Sequence, residues 1–288
     1  MRGAQSTIVL EHGPMRCTLV PDLGGAIAAL THHGRPVLRS SEGPDDVLQT
    51  ACFPLVPFAN RIEGGRFAFG GRDIVLEVAP EGAPHALHGH GWRSGWAVEQ
   101  VTARSAVLRL DYAAAGWPWP YAAWQRLCLT SCELLVELTI ENRHRSAAMP
   151  AGLGLHPYFP RTPATRIACA ATHEWRNDPT GLAVSPAPSA LFTGGEVPLE
   201  LLAGRDNFFA SPAPSAVIAD AGHTVAIAAD GAGFHLYCPP DLPFFCLEPV
   251  SHAPNSLGRG DMRGDDIIAP LARRSQRYRI AVTSQGTA

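Results

Sequence analysis

Arg66-Phe67-Ala68-Phe69-Gly70-Gly71-Arg72-Asp73-Ile74-Val75-Leu76-Glu77-Val78 contains two runs with apolar residues at alternate positions, joined by a glycine pair. A period of two marks a strand with one buried face, and two glycines readily take the positive φ angles of a tight hairpin turn. Residues 66–69 and 73–78 are therefore expected to form a β-hairpin. The alternation recurs on both sides of it, at 16–20, 107–112, 126–130 and 134–141, and again at 217–220 and 224–228 across Ala221-Gly222-His223. Residues 234–237, 244–248 and 277–282 complete the set. Helix signals are weak, and many short strands among 28 glycines and 26 prolines point to an all-β fold, a large antiparallel β-sandwich. Residues 179–188 and 211–214 are expected to be Pro-rich surface loops too short to link domains, so 1–288 is expected to form one domain.

Composition narrows the function. The chain has 288 residues, 46% hydrophobic and 17% charged, enough to bury a large core. The first twenty residues contain no signal-like apolar run, and nothing later approaches the roughly 18 apolar residues of a membrane span, so a soluble, cytoplasmic protein without a membrane partner is expected. Seven scattered cysteines with no CxxC pair argue against a disulfide framework and a thiolate zinc site. All 23 basic residues are arginine, which excludes lysine Schiff-base, pyridoxal phosphate and P-loop chemistry. A net charge of -3 without a basic run argues against nucleic acid.

Four stretches carry candidate chemistry. In Gly152-Leu153-Gly154-Leu155-His156-Pro157-Tyr158-Phe159, His156 is either a satisfied core histidine or a proton-transfer group at a strand end. In Phe53–Phe69, Asn60 and Arg61 interrupt a rigid proline and aromatic segment, where a guanidinium can hold hydroxyls; the alternative is a surface salt bridge from Arg61 to Glu63. In His85–Trp96, His88 and His90 would share one face of a strand, which raises a metal site. The glutamate a cupin-type metal motif needs a few residues later is missing, and Trp92 with Trp96 suits a sugar better, since pyranose faces stack on aromatic rings. In Phe244–Asn255, Glu248 sits among Phe245, Cys246 and Leu247, where partial burial raises a carboxyl toward the pKa of a useful base; the alternative is a structural carboxylate paired with arginine.

Together Asn60-Arg61-Ile62, His88-Gly89, Leu155-His156-Pro157-Tyr158-Phe159 and Leu247-Glu248-Pro249, in this order, resemble the aldose 1-epimerase (galactose mutarotase) family. The resemblance implies a supersandwich fold and a cofactor-free isomerase acting on a small-molecule hexose. It makes His156 the general acid and Glu248 the general base, lets His88 polarise the ring oxygen, and gives Arg61 and Asp206 the substrate hydroxyls, with Asn60 and Trp92 beside them. An acid–base pair of this kind predicts a bell-shaped pH profile, with Glu248 ionising below His156. Rival activities are an epimerase of 6-phosphorylated or otherwise 6-substituted hexoses, using Arg93, Arg205, Arg259 or Arg263, a glycosidase using Asp206 with Glu248, and a non-catalytic sugar-binding module.

Overall fold

Strand Glu133–Asn142 shows how the alternation becomes a layer. Leu134, Val136, Leu138 and Ile140 are buried, whereas Leu135 between them is 38% exposed. On the outer face Glu137 stands opposite Arg126 on one neighbouring strand and Arg277 on the other, so opposite charges meet across adjacent rungs. The computed structural model describes residues 6–113, 115–220, 222–262 and 264–284.

Two large antiparallel sheets share one apolar core. The first has nine strands in the order Ala97–Val101, Ser105–Tyr112, Tyr121–Leu129, Glu133–Asn142, Arg273–Ser284, His223–Ala229, Ser215–Asp220, Arg166–Ala170 and Thr193–Pro198. Arg273–Ser284 thus lies between strands from two distant parts of the chain. The second runs Ala183–Pro188, His173–Asn177, Arg205–Ala210, Gly233–Cys238, Phe244–Val250, Gly154–Leu155 and Pro54–Leu55, with Tyr158–Pro160 also pairing with Phe244–Val250. A four-stranded N-terminal sheet, Ile8–His12 to Arg35–Pro36, precedes both. The hairpin pairs Arg66–Phe69 with Arg72–Val75, a shorter second strand than expected. Among the described residues the α-helical segment is Ser256–Arg259, and no helix is long and apolar enough to cross a membrane.

The second sheet is buried on both faces, and this positions the site. From Phe244–Val250, Phe245 and Leu247 enter the core shared with the first sheet, while Cys246 and Val250 join a second cluster with Val20, Ala26, Phe53 and Trp92. Period-two geometry puts Glu248 on that second face. Next to it Phe234 and Leu236 point into the shared core and His235 and Tyr237 the other way; on the following strand Phe209 and Phe208 divide likewise, with Asp206 on the side of Phe208.

One expectation needs correction. Residues 183–188, expected within a Pro-rich loop, form the edge strand of the second sheet. Pro186 and Pro188 fit there because an edge strand has one side that needs no N–H donors. Residues 211–214 are a loop as expected, and Ala221 of the 221–223 turn lies outside the described residues.

The two faces of Glu133–Asn142 are separable by mutation. Leu138→Ala is expected to lower unfolding free energy by about 2–5 kcal/mol and Leu135→Ala by under about 0.5 kcal/mol, measured by denaturant titration. Equal losses would contradict the strand register.

Candidate functional site

His88 and Asn60 both take the left-handed conformation, with φ of 57° and 59°. Asparagine and histidine tolerate it better than most side chains, yet it persists only where surrounding bonds fix it. Here they do so reciprocally: the His88 N–H donates to Asn60 O at 3.0 Å, and the Asn60 N–H donates to His88 Nδ1 at 3.0 Å. Gly89 next door also has positive φ, and a Cβ there would lie 2.5 Å from Val56 O. The His88 turn is thereby pressed onto the segment that leads to Asn60.

His156 lies between Gly154–Leu155 and Tyr158–Pro160, its N–H donating to Phe53 O at 3.0 Å. Its ring packs against Phe53 and Tyr158, with centroids 4.6 and 4.7 Å away, and meets His88 edge-on at 5.3 Å. Its Nε2 is 3.3 Å from Glu248 Oε1. Glu248 is 2% exposed, and its Oε2, like His156 Nδ1, has no hydrogen-bond partner among the described residues. Burial pushes the Glu248 carboxyl up to about 7, the positive charges of His235 and Arg61 working against the rise. Burial also pulls His156 down to about 3. The order is the reverse of the one expected from sequence: Glu248 keeps a proton to near pH 7 beside an uncharged imidazole. Desolvation disfavours charge on both groups and so moves an acid and a base in opposite directions.

A second carboxylate is treated differently. Arg61 NH2 donates to Asp206 Oδ2 at 3.2 Å, and His235 Nε2 donates to Asp206 Oδ1 at 2.5 Å. The Asn60 amide nitrogen is 3.1 Å from His235 Nδ1, and the Asn60 oxygen accepts the Arg61 N–H at 2.8 Å. These four bonds close a ring from Arg61 back to Arg61. Burial works to raise Asp206, but the bond and charge from His235, with Arg61, outweigh it and hold it at about 2. Burial lowers His235, yet its bond to Asp206 and that carboxylate's charge leave its pKa raised. The raised pKa keeps a proton on Nε2 toward Asp206, and the Asn60 amide nitrogen stands at Nδ1.

The named residues Asn60, Arg61, His88, Trp92, His156, Asp206 and Glu248 all line one cavity of about 330 Å³. Trp92 forms part of its wall, stacked on Phe53 at 5.4 Å with its Nε1 donating to Gly89 O. A larger hollow of about 510 Å³ lies on the outer face of the nine-stranded sheet, where charged side chains such as Glu137 and Arg277 pair with each other at the surface.

Several expectations do not hold. The alternative for Arg61, a salt bridge to Glu63, is not formed; Arg61 pairs with Asp206. His90 does not share a face with His88, because the left-handed turn at His88-Gly89 and the short 3-10 turn Gly91–Arg93 replace a strand. Its ring stacks on Tyr112 at 3.9 Å and bonds the Tyr121 hydroxyl at 2.7 Å in a neighbouring hollow. Trp96 is a core residue, its Nε1 donating to Gly91 O. His235 went unremarked in the sequence. Alternation in Phe234-His235-Leu236-Tyr237 could have pointed to it, since it places a histidine on the non-core face, directly opposite Glu248 in the register.

His88, His156 and Glu248 place donor atoms within 4.8 Å of one another, close enough to share a cation. The chemistry of His88 does not fit one. Its Nδ1 already accepts the Asn60 N–H, so the neutral ring carries its proton on Nε2 and presents a donor rather than a lone pair. An N–H in that place suits a sugar oxygen.

A family model described as aldose 1-epimerase matches residues 6–260. The uncharacterized protein YphB of Escherichia coli K12 is 33% identical over 274 residues, spanning 90% of this chain and 92% of its own length. A crystal structure of a provisionally named aldose 1-epimerase from Escherichia coli K12 matches with a TM-score of 0.89 at 28% identity, over 98% of this chain and 100% of that one. A galactose mutarotase-like protein from Clostridium acetobutylicum shares the fold, with a TM-score of 0.84 at 17% identity over 99% and 97% of the two chains.

The raised carboxyl is directly observable. In protein carrying 13C-carboxyl glutamate, one signal is expected to titrate near pH 7 and to be absent from Glu248→Gln. A Glu248 signal titrating at the ordinary value of roughly 4.3 would remove the basis for reversed ionisation.

Proposed function

The chain belongs to the aldose 1-epimerase family, and we propose that it is a cofactor-independent mutarotase, interconverting the α- and β-anomers of a free hexose by opening and reclosing the ring. The observation that carries this reading is the 3.3 Å contact between His156 and Glu248, both buried side chains, in the wall of the cavity. The two groups hold one proton between them below about pH 7. When cyclic sugar binds, that proton passes to His156 and leaves Glu248 as a carboxylate. Glu248 then takes the proton of the anomeric hydroxyl while His156 gives its own to the ring oxygen; the bond from C1 to the ring oxygen breaks and the aldehyde forms. The pair is now carboxyl and neutral imidazole, the same state as in the free protein. Rotation about C1–C2 presents the other carbonyl face, and reclosure reverses both transfers, so the proton count never changes. His88 Nε2–H steadies the ring oxygen, and the Arg61–Asp206 pair takes hydroxyls, with Asn60 and Trp92 shaping the remainder of the wall.

The charges at the cavity favour an unphosphorylated sugar. Arg93 pairs with Glu81 at 2.6 Å, Arg205 with Glu174 and Arg259 with Asp261 at 2.5 Å, while Arg263 lies outside the described residues. Arg61 at the cavity wall is accompanied there by Glu81 and Asp206, so a phosphate dianion would meet more negative than positive charge. A glycosidase needs a free second carboxylate, and both oxygens of Asp206 are engaged. A binding module has no use for an unpaired, raised-pKa carboxyl against an imidazole. Seven unpaired cysteines support a reducing, cytoplasmic setting.

Polarimetry on freshly dissolved α-glucose, α-galactose and their 6-phosphates tests the assignment. Glu248→Gln and His156→Asn are each expected to lower kcat by about 10²–10⁴ with KM little changed, and the double variant should lose far less than the product, since the residues act as a unit. Near-wild-type turnover in Glu248→Gln, after subtraction of spontaneous mutarotation, would refute the assignment. Because turnover needs one proton on the pair, kcat/KM should fall as pH rises through about 7, when Glu248 gives that proton up. A profile flat to roughly two units above that pKa would exclude the shared-proton cycle.

A further inference from the structure

We propose that His252 is a positioning residue of this site: one buried imidazole fastens the Asn60-Arg61 turn and the approach to His156 onto the segment that follows Glu248. The proposal rests on the mutarotase reading, and its geometry is independent of any substrate. His252 is 5% exposed and does not line the cavity, so it acts through other residues.

Both ring nitrogens are committed. Nε2 accepts the Ala59 N–H at 3.2 Å, and Nδ1–H donates to Ala253 O at 2.8 Å. This pattern requires the neutral Nδ1–H tautomer, and burial, lowering the pKa, favours the neutral ring. The Cδ2–Nε2 edge of the ring is pressed against Gly152: a Cβ there would come within 2.0 Å of Cδ2 and 2.1 Å of Nε2. Gly152 in turn donates its N–H to Pro57 O at 2.6 Å. One side chain therefore touches the start of the Gly152–Phe159 stretch and the residue before Asn60, while standing four residues beyond Glu248.

Its neighbours complete the fastening. Ser251 exchanges bonds with Leu153, accepting its N–H on Oγ at 3.0 Å and donating its own N–H to Leu153 O at 2.9 Å. Asn255 donates its N–H to Arg61 O at 3.0 Å and accepts the Glu63 N–H on Oδ1 at 3.1 Å. Within this frame the Ala59 bond has the most leverage, because Asn60 orients His88 through its N–H and His235 through its amide. Without an acceptor at Nε2 the Ala59 N–H is buried and unpaired, and the turn shifts to satisfy it.

The test compares His252→Leu, which removes both bonds, with His252→Gln, whose amide oxygen can reach Ala59. Expected for the leucine variant, folded and assayed well below its Tm, is a loss in kcat of about 100-fold, the scale of an ångström-level misplacement, exceeding any change in KM. His252→Gln should recover to within about tenfold of wild type. The 15N imidazole signals of His88 should shift in the leucine variant and return in the glutamine one. If His252→Leu does not fold, His252→Asn, too short to reach Ala59, carries the same expectation. A folded leucine or asparagine variant with wild-type kcat and unshifted His88 signals overturns the proposal, as does a glutamine variant as impaired as the leucine one. Should wild-type protein mutarotate no sugar, the functional reading fails, and the imidazole signals still decide the role of His252.

Discussion

A carboxyl kept from water holds its proton unless a partner takes it, and the strand containing Glu248 leaves it no other environment. Phe245 and Leu247 are anchored in the core shared by the two large sheets, and period-two geometry then fixes Glu248 on the opposite face. That face is itself covered by the N-terminal sheet and by Phe53, Trp92 and Tyr158. The same burial that keeps Glu248 protonated keeps His156 neutral, so the pair's one proton rests on the carboxyl until a ligand arrives. Phe53, Tyr158 and His88 pack around the imidazole and hold it toward the carboxyl. Rigidity here comes from the aromatic packing.

Asp206 shows what the protein does with a carboxylate it needs ionised. Arg61 and His235 each take one of its oxygens, and Asn60 closes the circuit back to the Arg61 backbone. Two carboxyl groups in one cavity therefore have pKa values driven apart, one by desolvation and the other by paired donors, the pattern by which acid–base and binding roles are separated. Left-handed backbone at Asn60 and His88 costs on the order of 1–3 kcal/mol per residue. The bonds that hold it, between the two residues and onward to His235, also aim the cavity's donors before a ligand arrives.

Much of this was legible in the sequence because strand alternation and rigid polar segments are local. The hairpin after Arg66, though not the full length of its second strand, and the two faces of residues 134–141 follow from spacing alone, as does the oddity of Glu248 in an apolar run. Local rules failed where tertiary contacts decided. His88 and His90 look like strand neighbours until a positive-φ turn separates them, and Trp96 looks like a sugar platform until a backbone carbonyl claims its N–H. Prolines at 186 and 188 read as a loop because sequence does not reveal that their strand lies at a sheet edge. The ionisation order of Glu248 and His156 was misjudged because it depends on burial from both sides of a sheet. His235 and His252 owe their roles to partners far along the chain.

The position of Arg273–Ser284 in the middle of the nine-stranded sheet bears on how such a protein comes into being. Glu133–Asn142 on one side and His223–Ala229 on the other meet only through it. During synthesis the two halves of that layer must wait, each with an unpaired strand exposed, for a segment made long after them. Topologies dominated by such distant pairings fold slowly, because loop closure precedes the contacts that reward it. Unpaired strands are also templates for aggregation. A nascent chain that has just released Glu248 from the ribosome carries every group of the proposed proton circuit, yet lacks the strand that completes the sheet packed against the other side of the Glu248 strand's core. Competence for turnover and completion of the sheet therefore arrive in the same late step.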